Sequence, residues 1–191
     1  MSGAARPLVT LKLATSLDGK IALANGVSQW ITGPESRAVV HRMRAAHDAV
    51  LTGIGTILAD DPRLTARPEG GCERQPDVII MDSQGRTPAT AQVFKGGDRS
   101  VTLIPHRDLE RAMKGCERVM IEAGARIAAA AIQAGLVDRI EWFRAPMVLG
   151  GDGLPALAAL GLETLDKAPI FRRVGVIERG ADLQETYERN R

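Results

Sequence analysis

Apolar and polar positions alternate over Leu8-Val9-Thr10-Leu11-Lys12-Leu13-Ala14, which predicts a strand with Thr10, Lys12 and Ala14 on one face. Ser16 to Lys20 reads as a turn, with a short extended piece running on to Asn25-Gly26 and Trp30 in the loop beyond. Thr32-Gly33-Pro34-Glu35 has the spacing of a capping box with an early proline, so a helix is predicted from here to about His47. Val39, Met43 and Ala46 fall on its buried face, and Arg37, His41 and Arg44 on the other. Strands are then predicted over residues 48–54, 77–82 and 100–104, the second as a buried apolar run, with a short helical turn after Gly53-Ile54-Gly55-Thr56 that reaches Asp60-Asp61-Pro62, where proline ends it. A short helix is expected over 106–114. Val119-Met120-Ile121 reads as a further strand closed by Glu122. Gly124 turns the chain there into an alanine-rich helix from Ala125. Residues 139–145 predict another strand, 150–153 a glycine loop, and 170–177 with 181–188 an antiparallel pair joined near Arg179-Gly180. Strands alternating with helices and closing in a hairpin argue for a three-layer α/β fold with a mixed sheet.

Composition adds bounds. The 191 residues are expected to form a single domain, 1–191, able to bury roughly 70% of its unfolded surface without disulfides or metals. A net charge of +2 with no block of like charges gives no nucleic-acid surface, and 3% aromatic residues give no stacking platform. Cys72 and Cys116 stand far apart and fit reduced thiols better than a disulfide or a metal site. No signal peptide or membrane-spanning run is visible, so a cytoplasmic protein is expected.

Several strand ends carry glycine or small polar residues: Gly53-Ile54-Gly55-Thr56, Asp82-Ser83 and Glu122-Ala123-Gly124. A ligand crossing several strand ends fits this pattern, and the free N–H groups at a helix start suit a phosphate. Neither the Rossmann fingerprint nor Walker A is present, so a dinucleotide would need a different fold. The Arg37/His41/Arg44 stripe, with Arg63 or Arg67, is either a phosphate site or a solvated helix face. Asp60-Asp61 is either an acid–base pair or a plain turn. Lys12, inside an apolar strand, is either an edge-strand lysine or one that needs a partner or ligand. Glu122 is a candidate for that partner.

Lys12-Leu13-Ala14-Thr15-Ser16-Leu17-Asp18-Gly19-Lys20, Ser28-Gln29-Trp30-Ile31-Thr32 and Leu58-Ala59-Asp60-Asp61-Pro62-Arg63-Leu64-Thr65 resemble the pyrimidine reductase family of riboflavin biosynthesis. That family is the dihydrofolate-reductase-like C-terminal domain of a bifunctional deaminase-reductase. Val78 to Ser83, Glu122-Ala123-Gly124, Gly135 to Asp138, Ala145-Pro146 and Leu149 to Gly153 agree, so the resemblance spans roughly residues 8 to 188.

The resemblance implies a three-layer α/β/α dihydrofolate-reductase-like fold with a mixed, mostly parallel sheet ending in an antiparallel hairpin. It also implies an NADPH-dependent reductase, without a metal, that converts 5-amino-6-(5-phosphoribosylamino)uracil to its ribitylamino product. By motif position, Ala14, Trp30, Thr56, Asp60, Ser83 and Gly124, Ala125, Arg126 and Ile127, continuing to Ala130, would line the coenzyme. Ser28, Arg44, Leu64, Arg67 and Glu122 would face the phosphorylated pyrimidine, and Lys12 with Glu122 is the candidate catalytic pair. Ser83, Arg86 and Arg107 are alternatives for the adenosine 2′-phosphate. A homodimer is implied as well.

The chain departs from the family in two places. Ala125-Arg126 stand where the family has proline and threonine, and Arg126 is expected to replace the lost hydroxyl contact to the pyrophosphate. The H-x-E and P-C-x-x-C motifs of the zinc deaminase are absent from the sequence, so deamination is expected to be done elsewhere. The alternatives are a paralogue reducing another pterin or pyrimidine, and a nucleotide-binding protein without catalysis.

Overall fold

The computed structural model describes residues 6–190. In chain order the elements are β1 (Leu8–Thr15), β2 (Lys20–Ala22), α1 (Pro34–Ala45), β3 (Ala49–Gly53), α2 (Ile54–Asp60), β4 (Asp77–Met81), β5 (Val101–Ile104), α3 (Leu109–Ala112), β6 (Arg118–Ile121), α4 (Ala125–Gln133), β7 (Arg139–Arg144), β8 (Leu154–Pro155), β9 (Phe171–Arg179) and β10 (Asp182–Arg189). Contacts divide the chain into two compact units. One holds the described residues up to Val9 together with Ala38–Ala123. The other holds Thr10–Arg37 and the chain from Gly124 onward. The boundary falls within β1 and within α1.

In the first unit the strand order is β5-β4-β3-β6, all parallel. Strands buried on both faces need continuous apolar runs, and Val50-Leu51, Val78 to Ile80 and Val119 to Ile121 supply them. Val50, Val78, Ile80 and Met120 form one core cluster with Ile57 of α2, Leu64, Ala91 and Val93. Helix α1 ends at Ala45, two residues short of the expected end, and Ala46 is exposed instead of buried. Its apolar stripe is carried by Val39 and Val40, with Met43 at the edge of the cluster. The helix expected over 106–114 forms only at Leu109–Ala112, started by the Asp108 side chain accepting the Arg111 N–H.

The second unit has the order β1-β7-β10-β9, with β1 and β7 parallel and β7-β10-β9 antiparallel. The terminal hairpin turns at Gly180, as the sequence predicts. Register sets Lys12 beside Glu141, and Glu141 beside Thr186. Glu141 is buried, yet every oxygen is engaged: Oε1 accepts from Arg139 Nε at 2.7 Å, and Oε2 from Gln184 Nε2 and Thr186 Oγ1 at 2.7 and 2.9 Å. Helix α4 buries Ala128, Ala129, Ala131 and Ile132. It ends in a Schellman turn, with Gly135 (φ +69°) donating to Ile132 O and Leu136 to Ala131 O.

Two connections in this unit were not visible locally. The Thr32-Glu35 capping box does not cap α1. The anion at its start is Asp182, whose buried Oδ2 accepts the Gly33 N–H at 2.7 Å and the Ser36 hydroxyl at 2.6 Å. Asp18 ties its own turn to the glycine loop, accepting from Ser16 Oγ at 2.6 Å, Leu149 N at 3.1 Å and Gly150 N at 2.8 Å. Those bonds, the Ser16 hydroxyl foremost, lower its carboxyl pKa to about 2. The same two segments pair as the short ribbon β2-β8.

Candidate active site

In the first unit, β3 and β4 end in register at Gly53 and Met81, β6 stops at Ile121 opposite Leu51, and the Glu122 N–H extends that ladder one residue by donating to Leu51 O at 2.9 Å. That bond fixes the Glu122 backbone at the carboxyl ends of parallel strands, where open α/β sheets take ligands. Helix α1 brings Arg44 against it. Arg44 Nε donates to Glu122 Oε2 at 2.9 Å and Nη2 to Oε1 at 2.8 Å, the planar fork matching a carboxylate. Arg44 Nη1 donates to Thr65 O at 3.0 Å. The two side chains are 12% and 17% exposed, so the pair is largely dry and still open at one side. Each Nη keeps a second hydrogen able to meet an acceptor on a ligand.

His41 and Arg67 complete the cluster. His41 Nδ1 lies 3.1 Å from Thr65 O, and its Nε2 lies 3.3 Å from Arg67 Nη2. A carbonyl only accepts and a guanidinium only donates, so Nδ1 carries the hydrogen and Nε2 the lone pair: the ring is neutral. Electrostatics agree, because burial and then the charges of Arg44 and Arg67 lower the imidazole pKa. Arg67 also donates through Nη1 to Thr65 Oγ1. Two guanidinium groups, one carboxylate and a neutral histidine leave this corner net positive, which suits an anion.

The predicted stripe therefore splits. His41 and Arg44 turn to Thr65, whereas Arg37, in the second unit, donates to Thr32 O at 2.6 Å and stacks over the Trp30 ring at 4.6 Å. Leu64 sits in the core cluster, and its carbonyl accepts from Arg99 at 2.8 Å. Of the Asp60-Asp61 couple, Asp61 acts as the turn: it takes the left-handed cap of α2, and its Oδ1 accepts the Gln92 N–H at 2.8 Å. Asp60 is exposed at the end of α2, and Thr56 is half-buried in its first turn.

Ser83 and Arg86 are exposed on the turn after β4, and Arg107 is exposed beyond β5. Asp82 shapes that turn. Its Oδ2 accepts the Thr87 N–H and hydroxyl, both at 2.8 Å. Burial pushes its carboxyl upward, but hydrogen bonds from Arg86, Thr87 and Gln84 outweigh this and hold it below the usual range.

In the second unit, α4 starts at Gly124 with no side-chain cap among the described residues, and a Cβ added to Gly124 would meet nothing within 4 Å. An uncapped helix start with open space in front of it fits a coenzyme phosphate. Ala125 and Ile127 are half-buried there, and Arg126 is exposed. Ala14 and Lys12, both half-buried, lie on one face of β1, in register with Phe143 and Glu141. Ser28 is half-buried in the loop before Trp30, whose indole is 67% exposed. Asp82 was named from the sequence only as part of a strand end and Thr65 only as the close of a motif, neither with a role of its own. Asp82 had a signal, an aspartate three residues before glycine at a strand end. Thr65 had none, since its carbonyl and hydroxyl meet His41, Arg44 and Arg67 only once the chain has folded.

Residues 7–184 match the RibD C-terminal domain family. The chain belongs to that family. The riboflavin biosynthesis protein RibD of Mycobacterium tuberculosis is 37% identical over 180 residues, covering 93% of this chain and 53% of the relative. This RibD-family chain spans about half the length of the curated relatives it matches. Among solved structures, a diaminohydroxyphosphoribosylaminopyrimidine deaminase/5-amino-6-(5-phosphoribosylamino)uracil reductase from Thermotoga maritima has a TM-score of 0.82 at 28% identity. That match covers 97% of this chain and 57% of that one. Dihydrofolate reductase from Enterococcus faecalis, complexed with NADP(H), has a TM-score of 0.64 at 18% identity over 96% of this chain and 97% of that one. That last likeness is one of fold, and it bears out the dihydrofolate-reductase-like architecture read from the sequence.

Proposed function

We propose that this chain is the reductase of riboflavin biosynthesis that reduces the phosphoribosylamino group of 5-amino-6-(5-phosphoribosylamino)uracil to ribitylamino, with NADPH as coenzyme. One observation carries the reading: in a chain of the RibD C-terminal domain family, Arg44 and Arg67 converge on Thr65 beside a strand end closed by Glu122. A phosphorylated sugar gives two such cations a reason to converge. Arg67, the more exposed, binds the phosphate, with Arg44 beside it. The neutral His41 keeps Arg67 turned into the cluster through its Nε2 lone pair. Ser28, Leu64 and Glu122 are the remaining substrate-facing positions, Leu64 through its backbone.

Thr56, Asp60 and Ser83 in one unit, and Ala14, Trp30 and Gly124 to Ile127 in the other, are the positions assigned to the coenzyme. The uncapped start of α4 is the structural feature that fits its phosphates. Arg126, exposed in the first turn, supplies a cation where the family has a threonine hydroxyl. Bound NADPH supplies the hydride that ends on C1 of the ring-opened sugar. The chain's part is to orient and polarise. A cation near the sugar nitrogen favours the electron-poor carbon, and Lys12 and Glu122 are the groups assigned to that task. Deamination belongs to residues outside this sequence. A homodimer and cytoplasmic residence complete the reading; the two free thiols fit a reducing compartment. No helix among the described residues is long and apolar enough to cross a membrane.

The deciding assay is NADPH oxidation by the purified protein with and without the phosphoribosylamino-pyrimidine, alongside NADPH binding to wild type and R126A. Substrate-dependent loss of NADPH absorbance is expected, with weaker NADPH binding in R126A. Tight NADPH binding without turnover would reject this substrate, and equal dissociation constants would make Arg126 plain helix surface.

A further inference from the structure

The segment that carries Thr65 is conformationally costly. Asp61 and Leu64, neither of them glycine, hold φ values of +40° and +51° within four residues, a region that side chains disfavour. Such a shape persists only where its surroundings over-determine it. Two side chains in the same unit do this, on either side of Thr65. Arg99 donates to the carbonyls of Leu64 (2.8 Å) and Arg63, and also to Val93 O (2.9 Å). Gln75 grips the next residue at both backbone groups: its Oε1 accepts the Ala66 N–H at 2.8 Å, and its Nε2 donates to Ala66 O at 2.8 Å. The peptide between the clamps presents the one carbonyl that receives both Arg44 Nη1 and His41 Nδ1.

We propose that Arg99 and Gln75 are positioning residues of the substrate site: by clamping Leu64 and Ala66 they aim the Thr65 carbonyl, which in turn sets the Arg44 guanidinium against Glu122 and orients His41 and Arg67. The proposal rests on the reading of Arg44 and Arg67 as the phosphate-binding pair. Neither Arg99 nor Gln75 belongs to the motifs that carry the family resemblance. Their role follows from what they hold. The geometry demands an arginine at position 99. A guanidinium reaches three carbonyls at once, and a lysine ammonium at that distance from the backbone reaches fewer. The site is also shaped for it, because a Cβ on Gly96 would collide with the Arg99 guanidinium. Arg99 and Gln75 border an open polar cavity of about 600 Å³. Shortening either side chain therefore admits water instead of leaving a sealed void, so R99K and Q75A retain the fold.

The test uses the full chain: wild type, R99K, Q75A, R44A and the double variant R44A/R99K. Steady-state kinetics with NADPH and the phosphoribosylamino-pyrimidine should show KM raised about tenfold in R99K and in Q75A, with kcat within about twofold, because substrate positioning and not the chemical step is disturbed. In the R44A background R99K should add nothing further, since Arg99 acts through Arg44. Nitrogen NMR of the His41 ring gives a readout free of turnover. Wild type should show the hydrogen on Nδ1, and R99K and Q75A a shift of population toward the Nε2-protonated tautomer. Additive KM effects of R44A and R99K, or a His41 tautomer unchanged in both clamp variants, would overturn the proposal. If wild type does not turn over, the functional reading fails on its own and the His41 tautomer alone decides the clamp.

Discussion

Removing Arg44 tests both the architecture of the corner and its role. Arg44→Ala deletes two bonds to the Glu122 carboxylate at 2.8 and 2.9 Å and one to Thr65 O at 3.0 Å. Taking one partner from a fully buried ion pair costs about 3–5 kcal/mol, and an exposed pair is worth about 0–1 kcal/mol. Exposures of 12% and 17% place this pair nearer the buried limit but still reachable by solvent. We therefore expect R44A to lower unfolding free energy by about 2–3 kcal/mol. In a cycle of R44A, E122A and the double variant, read by urea denaturation, the coupling should be about 1.5–2 kcal/mol. Coupling below about 0.5 kcal/mol would class the pair with ordinary surface contacts and refute the argument from burial and bidentate geometry. In the assay, R44A should raise KM for the phosphorylated substrate by a factor worth about 1.5–3 kcal/mol, roughly 10- to 150-fold, and leave NADPH affinity near normal. An unchanged KM would remove Arg44 from the substrate.

Three further outcomes are expected. His41 is held neutral by burial and by Arg44 and Arg67, so the native state resists a proton that the unfolded chain accepts near pH 6.5. Its contribution is intact above that pH and is lost as pH falls below it, and H41N should show a flatter stability–pH profile there; identical profiles would mean the imidazole is not held neutral. Asp182→Ala strips the α1 start of its bonds from Gly33 and Ser36, and a loss of about 2–3 kcal/mol is expected in thermal or urea unfolding, with D182N losing less. An undisturbed D182A would show that α1 needs no anion at its start. Asp18, with its pKa near 2 against 3.8 in the unfolded chain, supports the fold above about pH 4 and ceases to do so as pH falls toward 2. D18N should lack that acid transition, and a transition of the same size in both proteins would count against the Asp18 bonds to Ser16, Leu149 and Gly150.

Local chemistry settled most of the elements. Apolar runs such as Val78 to Ile80, and glycine where α4 begins and ends, act over a few residues, so strands, helices and the terminal hairpin are legible without a fold. Motif residues also pointed to Arg44, Arg67 and Glu122. What could not be read was which groups meet. Arg44 reaches Glu122 across 78 residues, and Asp182 caps a helix 146 residues before it. The capping box at Thr32 met every local criterion and lost to that distant carboxylate, which is buried and already ordered by the hairpin. Likewise the Arg37/His41/Arg44 stripe is one face by periodicity, but its members find partners in separate units, Trp30 for Arg37 and Thr65 for the others. The left-handed Leu64 is the clearest case: its side chain asks for the ordinary backbone, and only Arg99, Gln75 and the core around it make the exception stable. Sequence alone determined most of the secondary structure and the kinds of group at the strand ends, because those follow from neighbours a few residues apart. The tertiary structure decided their pairing, charge state and aim, because these depend on register, burial and bonds between segments that the chain brings together only when it folds.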